Sequence, residues 1–157
     1  MQKITPFLWF DGKLEEAVNF YMAVFPNARV ENISPMSATF MLEGQVFTAF
    51  NGGPQFKFNE AVSFSIQCET QDEVDYFWNK LTMDGGSESR CGWLKDKFGL
   101  FWQVTPNKLG QYLSDPDRAK ANRVMQAMLK MTKMTKMTKM TKIDISALEI
   151  AYIGSAE

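Results

Sequence analysis

The chain has no histidine. This removes the side chain that titrates nearest neutrality, which is also the commonest transition-metal ligand. Ser-His-Asp and Cys-His catalysis go with it. Cysteine is scarce as well. Cys68 and Cys91 are the two in 157 residues, too few for a disulfide framework and wrongly spaced for a metal motif. A reducing compartment, the cytoplasm, is the simplest home. An excess of either charge is also missing. A net charge of −1 gives no field to recruit nucleic acid, so none is expected as a partner. No apolar run reaches membrane-spanning length, and no membrane association is expected. Lys3 is followed by Thr5-Pro6 and then by an acidic helix, which is not the pattern of a secretory leader.

What is present fits a packed globular protein. Hydrophobic residues make up 45% and aromatics 13%, enough for a real core in one domain or two small fused repeats. Ile4 to Phe10 reads as a strand turned by Asp11-Gly12. A helix follows from Leu14 to Phe25, with Leu14, Ala17, Val18, Tyr21, Val24 and Phe25 at three- and four-residue spacing. Strands are expected over 28–34, 37–42 and 45–50, before the loop Asn51-Gly52-Gly53-Pro54. The order then recurs. A strand at 61–68 precedes a helix from Gln71 to Met83, which Thr70 and Glu73 open as a capping box. Strands through Ser87 to Leu94 and Leu100 to Thr105 close the second unit.

The chain therefore reads as α+β, two tandem βαβββ modules over 1–54 and 55–107 with a helical C-terminal extension over 108–157. A constant offset pairs Phe7 with Phe64, Ala17 with Val74 and Tyr21 with Trp78, the mark of a repeated unit. In the extension, helices are expected over 108–113 and 117–129. A last short helix is expected to start from a capping box at Ser146 and Glu149. The Met-Thr-Lys repeat at 131–142 places methionines at a spacing that drifts around a helix, so it reads as a duplicated linker.

The closing hairpin, Cys91 to Pro106, is the most informative stretch. Asp96-Lys97-Phe98-Gly99 forms its turn, and alternation places Phe101, Gln103 and Thr105 on one face. Gln103 stands there as a lone amide among apolar neighbours. Phe7, Trp9, Phe50, Phe64, Phe101 and Trp102 are candidates for an aromatic cleft. Cys91 has no histidine to activate it and reads, like Cys68, as a structural thiol. Asp96 reads as a turn residue.

Several motifs together resemble a known family. Asn51-Gly52-Gly53-Pro54, Phe56-Lys57-Phe58-Asn59-Glu60-Ala61, Cys91 through Gly99, Trp102-Gln103-Val104-Thr105-Pro106 and Ser114-Asp115-Pro116-Asp117 resemble the PhnB-like branch of the vicinal oxygen chelate (glyoxalase/bleomycin-resistance/dioxygenase) superfamily. That branch carries the domain name 3-demethylubiquinone-9 3-methyltransferase. The resemblance implies cupped mixed sheets of the glyoxalase/bleomycin-resistance type and a homodimer. It also implies metal-ligand positions on the first and last strand of each module, which fall here at Thr5 or Pro6, Thr48, Ser63 and Gln103. None of these is an imidazole or a carboxylate, and Gln55 follows the Gly-Gly-Pro turn where relatives often have histidine. Neutral oxygens and an amide are a poor set for a divalent ion, so no metal and no cofactor are expected.

A methyl donor of nucleotide type asks for a glycine-rich strand-to-helix turn with an acidic ribose partner. Here Gly52-Gly53 enters an aromatic connector instead. The expected function is a metal-independent small-molecule-binding protein with Gln103, Thr48, Ser63 and Phe101 lining its cavity; catalytic residues are unknown. The alternatives are the methyltransferase of the family name, a metal-dependent lyase or dioxygenase, and a protein-interaction module working through the C-terminal helices.

Overall fold

A computed structural model describes residues 2–133 and 142–154. Most of the Met-Thr-Lys repeat, residues 134–141, and with it the linker reading, lies outside the described residues. The chain divides into two compact units, residues 1–59 and 60–157.

The first unit runs β1 (Phe7–Phe10), α1 (Leu14–Val24), β2 (Ala28–Ile33), β3 (Ser37–Leu42) and β4 (Gln45–Asn51). Its sheet has the order β1-β4-β3-β2, with β1 parallel to β4 and the other pairs antiparallel. The helix stripe expected from the sequence is the buried one: Leu14, Ala17, Val18, Tyr21 and Val24. It meets the alternate strand residues Leu8, Phe10, Ala38, Phe40, Leu42, Phe47 and Ala49, all buried. Each large aliphatic side chain so buried contributes about 1.5–3 kcal/mol. The helix has no side-chain cap of its own. Asn51, at the end of β4, reaches across to accept from the Leu14 N–H at 3.1 Å, and its amide nitrogen donates to Pro35 O at 2.9 Å.

The second unit repeats this plan with β5 (Phe64–Cys68), α2 (Gln71–Thr82), a 3-10 turn (Met83–Gly85), β6 (Ser87–Glu88), β7 (Trp93–Lys95) and β8 (Phe101–Pro106). The order is β5-β8-β7-β6, again with the first and last strands parallel. Both four-stranded sheets are mixed and unclosed, so the expected fold class holds. The constant offset holds on the helices but not on the first strands. Phe7 pairs with Thr48 on the face away from the helix, whereas Phe64 pairs with the buried Trp102 on the helix face. The counterpart of Phe7 is therefore Ser65, which pairs with Gln103. A single-residue slip reverses every side chain in a strand, and loops of unequal length absorb it.

Thr70 caps α2 by accepting from the Glu73 N–H at 3.2 Å, while the Glu73 carboxylate accepts from the Glu69 N–H at 2.7 Å. The box thus closes one residue earlier than its usual form. Three helices follow: α3 (Asn107–Leu113), α4 (Arg118–Lys133) and α5 (Ile145–Ile153). Leu109, Val124, Ile143 and Leu148 form their buried centre, with Tyr112, Leu113, Met128 and Tyr152 against it. The cap of α5 is Asp144, whose carboxylate accepts from the Ala147 N–H at 3.0 Å. The expected Ser146 already lies inside the first turn, where its hydroxyl is out of place to cap.

Gln71 ties this extension to α2. Its amide nitrogen donates to Ile143 O at 3.3 Å and to Asp75 at 2.9 Å, and its carbonyl accepts from the Ile145 N–H at 2.9 Å. Arg123 donates to the carbonyls of Ala151 and Tyr152, both at 3.0 Å, and so occupies acceptors left open at the end of α5.

Candidate functional site

The hairpin β7–β8 is organised by Asp96, which is 1% exposed. One carboxylate oxygen accepts from the Phe98 N–H at 2.9 Å and the Leu100 N–H at 3.0 Å; the other accepts from the Trp102 indole at 2.9 Å. Within the turn, the Gly99 N–H donates to Asp96 O at 2.9 Å and the Asp96 N–H to Leu100 O at 2.9 Å. Gly99 has φ +89°. This is a three-residue hairpin loop whose last residue is left-handed and bulged, a position that suits glycine.

The bulge sets the register. It pairs Lys95 with Phe101, Leu94 with Trp102 and Trp93 with Gln103. A two-residue loop centred on Lys97-Phe98 would have paired Trp93 with Trp102 instead. Gln103 therefore lies between Ser65 on β5 and Trp93 on β7, with Phe101 and Thr105 next along its own strand. Trp93 is the residue that sequence reading missed. The available signal was Asp96-x-x-Gly99, counted as a bulged loop.

Gln103 is not a lone amide. Its Nε2 donates to Ser63 Oγ at 2.8 Å. One pair further along, Gln67 Nε2 donates to Ser65 Oγ at 3.0 Å. The face holds a row of neutral hydrogen-bonding groups: Ser63, Ser65 and Gln67 beside Gln103 and Thr105. The Gln103 carbonyl oxygen takes no hydrogen bond among the described residues, and the Ser63 hydroxyl keeps its own proton to donate.

Of the expected cavity residues, the structure brings Gln103 and Ser63 into contact and sets Phe101 on their face, 9% exposed. Thr48 belongs to the first unit, on β4 opposite Phe7, where its N–H donates to Pro6 O at 3.0 Å. The proposed aromatic set divides. Phe64 and Trp102 stand 5.6 Å apart on the helix face of the second sheet. Trp9 meets Phe50 at 5.5 Å and Phe56 at 5.0 Å, both edge to face, in the first unit. Its indole donates to Gly53 O at 2.8 Å, and a Cβ on Gly52 would lie 2.1 Å from its ring. The Gly-Gly turn is thus shaped to admit Trp9.

Both thiols are held toward their neutral, protonated form. Burial and then the nearby Glu73 charge push Cys68 up to about 12. Burial also raises Cys91, against a smaller opposing pull from Arg90. Two surface hollows of about 430 Å³ lie on the C-terminal helices, one beside Asp115 and Arg118 and one beside Lys130 and Ile150. Neither includes an expected site residue.

A model of the 3-demethylubiquinone-9 3-methyltransferase family matches residues 2–105. A PhnB protein from Bacillus cereus is 36% identical over 67% of this chain and 99% of its own, with a TM-score of 0.62. A glyoxalase-related enzyme from Fulvimarina pelagi is 16% identical over 69% and 91%, with a TM-score of 0.52. The fosfomycin resistance protein FosX from Listeria monocytogenes, solved with Mn(II) and sulfate, is 14% identical over 72% and 96%, with a TM-score of 0.55. The last two likenesses concern fold alone. Among curated proteins none matches.

The ligand positions implied by this superfamily do not fit a metal ion here. Ser63 accepts the Gln103 amide, Pro6 offers a carbonyl already bonded to Thr48, and the side chains are neutral. Among the described residues no three of His, Cys, Asp and Glu come together. Hard divalent cations need carboxylates to offset their dehydration.

Proposed function

The chain belongs to the 3-demethylubiquinone-9 3-methyltransferase family in its PhnB-like form, and on that premise we propose that it is a small-molecule-binding protein that works without a metal. Its fold is the vicinal oxygen chelate fold, without the chelating residues. The observation that carries this reading is the Gln103–Ser63 pair, 2.8 Å apart, which among the described residues leaves one carbonyl acceptor and one hydroxyl donor unclaimed. A ligand that offers a donor and an acceptor side by side is matched by the pair, and matched polar groups give orientation and specificity. Phe101 adds apolar surface beside it. Thr48 holds the counterpart position in the first unit, on β4 as Gln103 stands on β8.

Methyl transfer, which the family name suggests, has little support in the residues. Gly52 and Gly53 are taken up by Trp9, so this glycine pair is not a nucleotide cradle. Lyase or dioxygenase chemistry through a bound ion meets the neutral donor set just described. Unclosed sheets leave strand edges to cover, which supports a homodimer. The two free thiols support a reducing, cytoplasmic setting.

The test is a thermal-shift screen of small neutral and singly charged compounds against the native protein and Gln103→Leu. A ligand at a hundred times its Kd adds about 2.7 kcal/mol of stability. The expected result is at least one compound whose shift of several degrees is lost in Gln103→Leu. Equal shifts in both proteins would refute the site. A shift of several degrees with S-adenosylmethionine would favour methyl transfer instead.

A further inference from the structure

We infer that the ligand class of this site is a small planar aromatic carboxylate, a step that rests on the Gln103–Ser63 reading above. Three features of the second sheet point to it. The hairpin bulge sets Trp93 directly opposite Gln103 on the same sheet face, so an aromatic residue is cross-strand neighbour to the hydrogen-bonding pair. An indole favours stacking with another ring. Two residues on, Lys95 is opposite Phe101 on the same face, and among the described residues its ammonium has no ion-pair or hydrogen-bond partner.

The strand residues of that face carry no acid. Ser65, Gln67, Ser87, Phe101 and Thr105 complete it. The one strand carboxylate, Glu88, pairs with Leu94 on the opposite face and accepts from the Trp78 indole at 3.0 Å. Lys95 is thus the sole strand charge on its face, and it calls for an anion.

Spacing fixes the size. Ser63, one residue before Phe64, falls level with Phe101, and Lys95 lies level with Phe101 on its other side. Two strand spacings of about 4.8 Å each separate them, close to the length of a benzene ring carrying a polar group at each end. A para-substituted benzoate would donate to the Gln103 carbonyl and accept from the Ser63 hydroxyl at one end. Its ring would lie against Trp93 and Phe101, and its carboxylate would reach Lys95. Two like-signed groups would not be matched, because the other end of the site is neutral.

Isothermal titration with three probes tests this: 4-acetamidobenzoate, its neutral analogue 4-acetamidobenzamide, and the non-planar trans-4-acetamidocyclohexanecarboxylate. The full chain is used, with Lys95→Met, Lys95→Arg, Trp93→Leu and Gln103→Leu, each checked for native melting. The benzoate should bind at least tenfold tighter than the benzamide. Lys95→Met should remove that preference and Lys95→Arg should restore most of it. Trp93→Leu should weaken both aromatic probes tenfold and leave the cyclohexane probe unchanged. Equal affinity for acid and amide, or an unchanged benzoate affinity in Lys95→Met, would overturn the assignment. So would no binding of any probe to the native protein. Gln103-dependent binding of compounds without an acid would overturn the aromatic-acid class while leaving the site standing. No Gln103-dependent binder of any kind would overturn both.

Discussion

Replacing Asp96 with alanine should separate the architecture of the hairpin from the chemistry of its face. The carboxylate is 1% exposed and accepts from two backbone N–H groups and the Trp102 indole at 2.9–3.0 Å. Hydrogen bonds to a charged acceptor contribute about 1.5–3 kcal/mol each. The three do not add, because water can reach the Phe98 N–H once the side chain is gone. The Leu100 N–H and the Trp102 indole are in buried residues and keep a desolvation penalty of about 1–3 kcal/mol apiece. The net loss should be about 3–5 kcal/mol, a large share of the 5–15 kcal/mol that holds a typical domain together. Asp96→Asn retains one acceptor but turns an N–H₂ toward one of the donors, and should lose about 2 kcal/mol. Urea denaturation followed by circular dichroism and by tryptophan fluorescence reads both values. A loss below about 1 kcal/mol for Asp96→Ala would refute the claim that this carboxylate holds the turn.

Three further outcomes follow from the packing and the charges. Gly52→Ala should destabilise by about 1–3 kcal/mol through overpacking against Trp9; in a Trp9→Leu background most of that loss should vanish, and simple additivity would contradict it. Lys142 and Gln71 hold the Asp75 carboxyl below its ordinary range. A depressed carboxyl stabilises the fold above its unfolded pKa of about 3.9, and that contribution is lost as pH falls through the folded value. The Lys142–Asp75 pair is 2.5 Å apart but more than a third exposed, so Lys142→Met should lower stability by no more than about 1 kcal/mol at pH 7. That difference should shrink as pH falls below the unfolded value of about 3.9; a difference that stays constant on acidification would contradict the assignment. With its thiol pushed up to about 12 by burial and Glu73, Cys68 should resist a thiol-reactive chromophore at pH 8 until the protein is unfolded. Rapid labelling of Cys68 in the native protein would be the contrary result.

Much of the fold was legible because it rests on local periodicity. The stripes on α1 and α2, the Thr70 cap and the Asp96–Gly99 turn all come from residues within a few positions of one another. The second sheet's face was legible only in part. Gln103 and Ser63 were named together because the family resemblance puts ligand positions on the first and last strands, and their hydrogen bond follows from the pairing of those strands. Trp93 was not found, because a single bulged residue decides which face of the hairpin it joins. The Asn51 cap on Leu14 and the Gln71 clamp on Ile143 and Ile145 escaped for another reason. Each joins segments far apart in the chain, and no local pattern encodes a hydrogen bond closed by tertiary packing. The aromatic cleft divided because alternation says which residues share a strand face, but not which face meets the helix.

Metal stoichiometry tests the central claim most directly. Protein purified without chelator and dialysed to equilibrium is analysed for Mn, Fe, Ni, Cu and Zn, and the same sample is titrated with Mn(II) by calorimetry. A site built on the Gln103 amide and the Ser63 hydroxyl should retain metal far below one equivalent and show no saturable Mn(II) binding in the micromolar range. Near-equimolar metal that survives dialysis and is lost in Gln103→Leu would contradict the account.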